Sequence, residues 1–116
     1  MKDAVLYSAG FLGILVSLIH GWLGETRVIH GLNARAQVTA RINRAVFHLS
    51  TVYWLAGGIA LLFAPLLDEQ ARAAVAWSVA AMYCVGAIAN FWATRGRHFG
   101  AYLLLIVATL ALSGAR

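Results

Sequence analysis

The chain is poor in charge, has a single cysteine and a single proline, and holds few acidic residues. Only 11% of its 116 residues are charged and 62% are apolar, where soluble domains carry about 25% and about 45–50%. That balance excludes a soluble enzyme and a disordered chain. Cys84 has no intrachain partner, which excludes a disulfide scaffold. Pro65 alone leaves long stretches free to run as unbroken helix. Asp3, Glu25, Asp68 and Glu69 stand against nine Lys and Arg, for a net charge of +5. On so apolar a chain this excess reads as membrane topology and lipid contact, not nucleic-acid binding. The length fits one domain, residues 1–116, because domains run to about 100–200 residues.

What is present is a set of apolar runs. Residues 4–23 hold one ionisable group, His20, and are long enough to cross about 30 Å of hydrocarbon at 1.5 Å per residue. A secretory signal would have a shorter apolar core and a small-x-small cleavage pattern, which Leu-Gly-Glu after Trp22 lacks. Residues 45–67, 73–93 and 99–115 give three further spans, the last at the short end of the range. The predicted fold is all-α, an integral membrane four-helix bundle. Pro65 ends the second span and Asp68-Glu69-Gln70 makes a short hairpin to the third.

Arg27, Arg35, Arg41, Arg44, Arg95 and Arg97 fall in the loops on one side, and Lys2, Arg72 and Arg116 on the other. The positive-inside bias then predicts an N-out/C-out protein of the bacterial inner membrane with both basic loops in the cytoplasm. The 24–44 linker is far longer than the about 2–8 residues usual between bundle helices. Val28, Ile29, Leu32, Val38 and Ile42 interleave with its arginines, which predicts a basic amphipathic interfacial segment, with the helix beyond Gln37 continuing into the second span. In the first span Gly10, Gly13, Ser17, Gly21 and Gly24 recur at steps of three and four. That face of small residues lets two backbones approach.

Candidate chemistry gathers at one depth. His20, His48, Asn90 and His98 lie near span ends on the cytoplasmic side, with Glu25 and His30 at the same edge. An ionisable residue within a span is a candidate functional site, because burying it costs free energy unless it finds a partner. A hydrogen-bonded structural histidine explains His20 and His48 as well. His20 shares the stripe of Ser17 and Gly24 and is expected to face inward; His48 aligns with Arg41, Arg44, Thr51 and Gly58. Asn90 reads as packing glue, hydrogen-bonded to a neighbouring helix or to backbone. Trp54 and Tyr83 sit deeper than the other Trp and Tyr residues, as core filling or as the lining of a quinone or lipid cleft.

Two cofactor readings follow. A haem b would be held by His20 and His48, one imidazole from each helix, with Gly21 and Gly24 clearing space for the porphyrin and Arg41 and Arg44 pairing with its propionates. A metal ion would take His20, Glu25, His30 and His48. Five-residue intervals do not share a helical face, which argues against the second. For Glu25 the plain alternative is a surface ion pair with Arg27 or Arg95.

The run His20-Gly-Trp-Leu-Gly-Glu25, followed by Arg41-x-x-Arg44-Ala-x-x-His48-Leu49 and Trp54, resembles small four-helix bacterial membrane proteins. Their first helix ends in H-x-x-x-G-E and their second opens with R-x-x-x-H-L. The resemblance implies that His20, Glu25 and His48 act as one constellation. The function expected is a non-enzymatic accessory or assembly subunit, with the lipid bilayer and partner subunits or copies of itself as its contacts. The alternatives are an electron-transfer protein using His20 and His48, and a small intramembrane enzyme or transporter.

Overall fold

The computed structural model describes residues 1–30 and 37–115, and among these the chain is all-helical with no strand. Helix α1 spans Lys2–Leu23, α2 Gln37–Phe63, α3 Glu69–Thr94 and α4 Phe99–Ala115. The molecule is elongated, 52 × 23 × 18 Å. α1 to α3 are long and apolar enough to cross a membrane, and α4 is a shorter apolar helix. Leu32, Arg35 and Arg116, on which part of the linker and topology reading rests, lie outside the described residues.

The linker follows expectation from Gln37 onward, where helix continues into the second span, and departs from it before. After Leu23 the first helix widens into a π-helical turn over Gly24–Ile29, and α2 already begins at Gln37. Val28 and Ile29 therefore extend α1, while Val38 and Ile42 belong to the first turns of α2. Among the described residues there is no separate interfacial helix: residues 24–29 continue α1 and residues 37–44 lie in α2. At the opposite end, α2 stops at Phe63 and Pro65 sits in a 3-10 turn, Ala64–Leu66. Asp68 caps α3 by accepting the Ala71 N–H at 2.9 Å, the ordinary role of Asp at a helix start. Glu69 and Gln70 belong to α3, so the turn is shorter than the sequence suggests.

α3 ends where Arg95 and Gly96 adopt positive φ, 53° and 76°. The Gly96 N–H returns to the Phe91 carbonyl at 2.9 Å, closing the helix in a Schellman-type bond.

α1 packs extensively on α2 and α4, and α3 on α4, whereas the consecutive pair α2 and α3 meets far less. The small-residue stripe of α1 explains the tightest seam. A methyl group on Gly58 of α2 would stand 2.8 Å from the Ile14 nitrogen and 3.0 Å from the Gly10 carbonyl oxygen. The two backbones are in contact there, which only glycine permits. Gly13 leaves room for the Tyr83 hydroxyl, and Gly21 for the Thr51 methyl. Tyr83 is 0% exposed and anchors a core with Leu6, Leu61, Leu104 and Val107. The outer faces are apolar too: Phe11 is 69%, Val52 60% and Val85 66% exposed.

Candidate functional site: a polar wall between a cavity and a groove

His20 leaves α1 one turn after buried Ser17 and enters the seam with α2. Its ring stacks on Phe47 with centroids 4.5 Å apart and an interplanar angle of 8°, and stands edge-on to Trp54 at 4.5 Å. Phe47, Ser50 and Trp54 lie three and four residues apart, so one face of α2 presents all three. His20 Nε2 is 3.1 Å from the Ser50 hydroxyl oxygen. The Ser50 hydroxyl donates its one proton to the Phe47 carbonyl at 2.8 Å, so toward His20 it accepts. In the neutral ring the proton therefore sits on Nε2, and Nδ1 keeps an unshared pair.

Asn90 reaches the same place from α3, and His98 from the start of α4. The Asn90 amide donates to the Gly86 carbonyl of its own helix at 2.8 Å. Of the two partners expected for it, a neighbouring helix or the backbone, it takes the backbone. His98 caps α4, its Nδ1 accepting the Gly100 N–H at 3.1 Å.

Together with Val16, Phe47 and Leu104, residues His20, Asn90 and His98 line a small, partly open cavity of about 50 Å³. This is room for a few waters. A much larger space opens on the other side of His20 and Asn90. Where α2 and α3 part, a lateral groove of about 550 Å³ is lined by Leu49, Ser50, Tyr53, Trp54, Val85 and Ala89. His20, Phe47, Trp54 and Asn90 line both spaces and form the wall between them.

Glu25, Arg44 and His48 form a separate cluster on the outer edge of the α1–α2 seam. The Arg44 guanidinium grips the Glu25 carboxylate through both Nε, at 3.3 Å, and Nη2, and His48 Nε2 lies 3.2 Å from the same carboxylate. Glu25 lies past the apolar run that ends at Leu23. Hydrogen bonding from Arg44 holds its carboxyl below the usual value, outweighing desolvation, with the charge of Arg44 and the contact with His48 acting in the same sense. The partner is thus Arg44, not Arg27 or Arg95.

The structure brings some of the sequence candidates together and separates others. His20, Asn90 and His98 share the inner cavity, while Glu25, Arg44 and His48 share the outer clasp. Arg41 and His30 are exposed and join neither.

The haem reading does not fit this arrangement. His20 and His48 each commit Nε2 to a different partner, and the His48 side chain is 53% exposed. The clearance expected beside Gly21 and Gly24 is filled by Thr51 and Phe47. Arg44 is engaged by Glu25, and neither of the two spaces that His20 lines is lined by His48. The metal set His20, Glu25, His30 and His48 is not assembled either. Among the described residues no three of His, Cys, Asp and Glu converge on one point.

Sequence reasoning missed Ser50 and Phe47. Their spacing from Trp54 is a helical-face signal, but nothing in it points to His20 thirty residues away. Comparison of the chain with protein-family models, curated proteins and solved structures finds no match.

Proposed function

We propose that this chain is a small, non-enzymatic accessory protein of the bacterial cytoplasmic membrane that holds a lipid-soluble amphiphile in the groove between α2 and α3. The bilayer placement is supported by the apolar outer faces, since exposed rows of Phe, Val, Ile and Leu around a bundle suit acyl chains and not water. The arginine count supports both termini outside, which puts the polar wall near the inner leaflet.

The observation that carries the reading is the groove itself. Its volume of about 550 Å³ suits a ligand, its sides are apolar, and a few polar groups, Ser50, His20 and Asn90, converge at its base. Apolar walls with a few fixed polar groups are the usual make-up of a small-molecule site. The opening faces sideways, so a molecule dissolved in the bilayer enters without crossing water.

The test is native mass spectrometry of the protein taken from its own membranes into lipid nanodiscs, beside an Ala89→Phe variant that fills the groove. About one lipid-soluble molecule per chain is expected in the natural protein and its loss in the variant. Equal retention by both, or a second protein chain crosslinked through a cysteine placed at Val85, overturns the reading.

A further inference from the structure

We infer that the ligand of this groove carries a hydroxyl on an aromatic ring, a quinol or phenol type of head, and that His20 and Asn90 read that hydroxyl. The inference rests on the groove being a binding site and adds the hydrogen-bond polarity of what binds.

The polar atoms of the wall can be accounted for one by one. The Nε2 proton of His20 goes to Ser50, which leaves Nδ1 as an acceptor. One N–H of Asn90 goes to the Gly86 carbonyl, which leaves the side-chain oxygen Oδ1 as an acceptor and one N–H as a donor. Among the described residues neither Nδ1 nor Oδ1 has a protein partner. Neither is sealed in, because Arg72 Nε is the one fully buried side-chain polar atom without a partner there. Trp54, beside them, offers only an indole N–H.

His20 and Asn90, which line the groove, therefore carry two acceptors without a protein partner among the described residues, together with a donor. A hydroxyl donates and accepts, so it answers both kinds of group. A carbonyl head accepts only and leaves both His20 Nδ1 and Asn90 Oδ1 unpaired, whereas the one proton of a hydroxyl pairs one of them. Sites built around a hydroxyl reject analogues lacking it for this reason. The aromatic character of the head follows from the lining: Phe47, Tyr53 and Trp54 give one side of the groove three ring faces and edges, which favour offset or edge-on contact with another ring. An alkyl tail then lies along Leu49, Val85 and Ala89 toward the lipid.

The experiment compares a decyl-substituted benzoquinol with the matching benzoquinone, under anaerobic conditions, by equilibrium dialysis against the full chain in nanodiscs. The quinol is expected to bind at least about tenfold more tightly. In Asn90→Leu, which removes one acceptor and one donor with little change of volume, both forms are expected to bind more weakly, the quinol by more, so that the ratio narrows severalfold. Ser50→Ala, which releases the His20 Nε2 proton as a donor, is expected to narrow the ratio too and serves if the first variant fails to fold. Equal affinity for the two forms, or preference for the quinone, overturns the inference while leaving a ligand groove in place. Binding of neither form to the natural sequence overturns the groove reading as well.

Discussion

The Tyr83 hydroxyl donates to the Trp54 carbonyl at 2.6 Å, joining α3 to α2 across a fully buried contact. It ties the two helices together at mid-length, one turn before Gly86 and level with the start of the groove. Gly86 faces the Trp54 ring, where an added methyl group would stand 2.6 Å from the indole. The groove is thus bounded at one end by this bond and opens from there. Removing the hydroxyl in Tyr83→Phe is expected to cost about 0.5–1.5 kcal/mol. Denaturant unfolding in micelles measures it, and an unchanged midpoint would contradict a bond in this position.

The α1–α2 seam makes a sharper demand. Gly58→Ala adds a methyl group against the Ile14 nitrogen and the Gly10 carbonyl, both backbone atoms that cannot rotate away. Alanine gains up to about 1 kcal/mol of helix propensity over glycine, yet overpacking costs about 1–3 kcal/mol, so a net loss is expected. Gly10→Ala should behave alike, since its methyl group would meet the Gly58 carbonyl at 2.7 Å. Increased stability in either variant would mean that the seam is looser than described.

His20 and His48 are expected to respond differently to truncation. His20→Ala deletes a ring stacked on Phe47 and edge-on to Trp54 and leaves Ser50 without its donor. A loss of about 1–3 kcal/mol is expected. His48→Ala removes one of two partners of Glu25 from an exposed site and should stay within about 0.5 kcal/mol of the natural chain. A shared cofactor would instead make the two variants fail alike, so parallel thermal unfolding of both decides the matter.

The Glu25 clasp predicts the sign of a pH effect. Its carboxyl is held below the ordinary value of 4.5 in the folded chain, mainly by Arg44. A depressed carboxyl stabilises the fold fully above its unfolded pKa and loses that contribution as pH falls through the folded one. Stability should therefore drop below about pH 4.5, by a small amount because the pair is exposed and screened by salt. Unfolding midpoints of the natural chain and Glu25→Gln should differ at neutral pH and converge in acid. Curves that stay parallel would exclude the clasp as their cause.

Much of the architecture was legible because apolar runs of helical length report themselves residue by residue. The glycine and serine spacing of α1 likewise named the face that meets α2. The site was legible only as a depth. His20, His48, Asn90 and His98 read as one layer, of which His20, Asn90 and His98 line one cavity, but a common height does not say which way an imidazole turns. His48 follows Phe47 by a single position, about 100° around the helix, and that rotation sends one side chain into the seam and the other to its outer edge. Ser50 gave no sign of itself, since its importance lies in where its one proton goes. The linker misled for a related reason: interleaved Val, Ile and Arg suit an interfacial helix and equally the overhanging ends of two long helices.

The sparse contact between α2 and α3 also bears on how the bundle holds together. Three of its four lateral joints are densely packed, and the fourth, between α2 and α3, is held by the short turn from Pro65 to Asp68 and, midway, by the Tyr83 hydroxyl on the Trp54 carbonyl. The mutual position of these two helices is therefore inherited from α1 and α4, the neighbours on which each of them packs densely, so damage to an outer seam is passed on to this one.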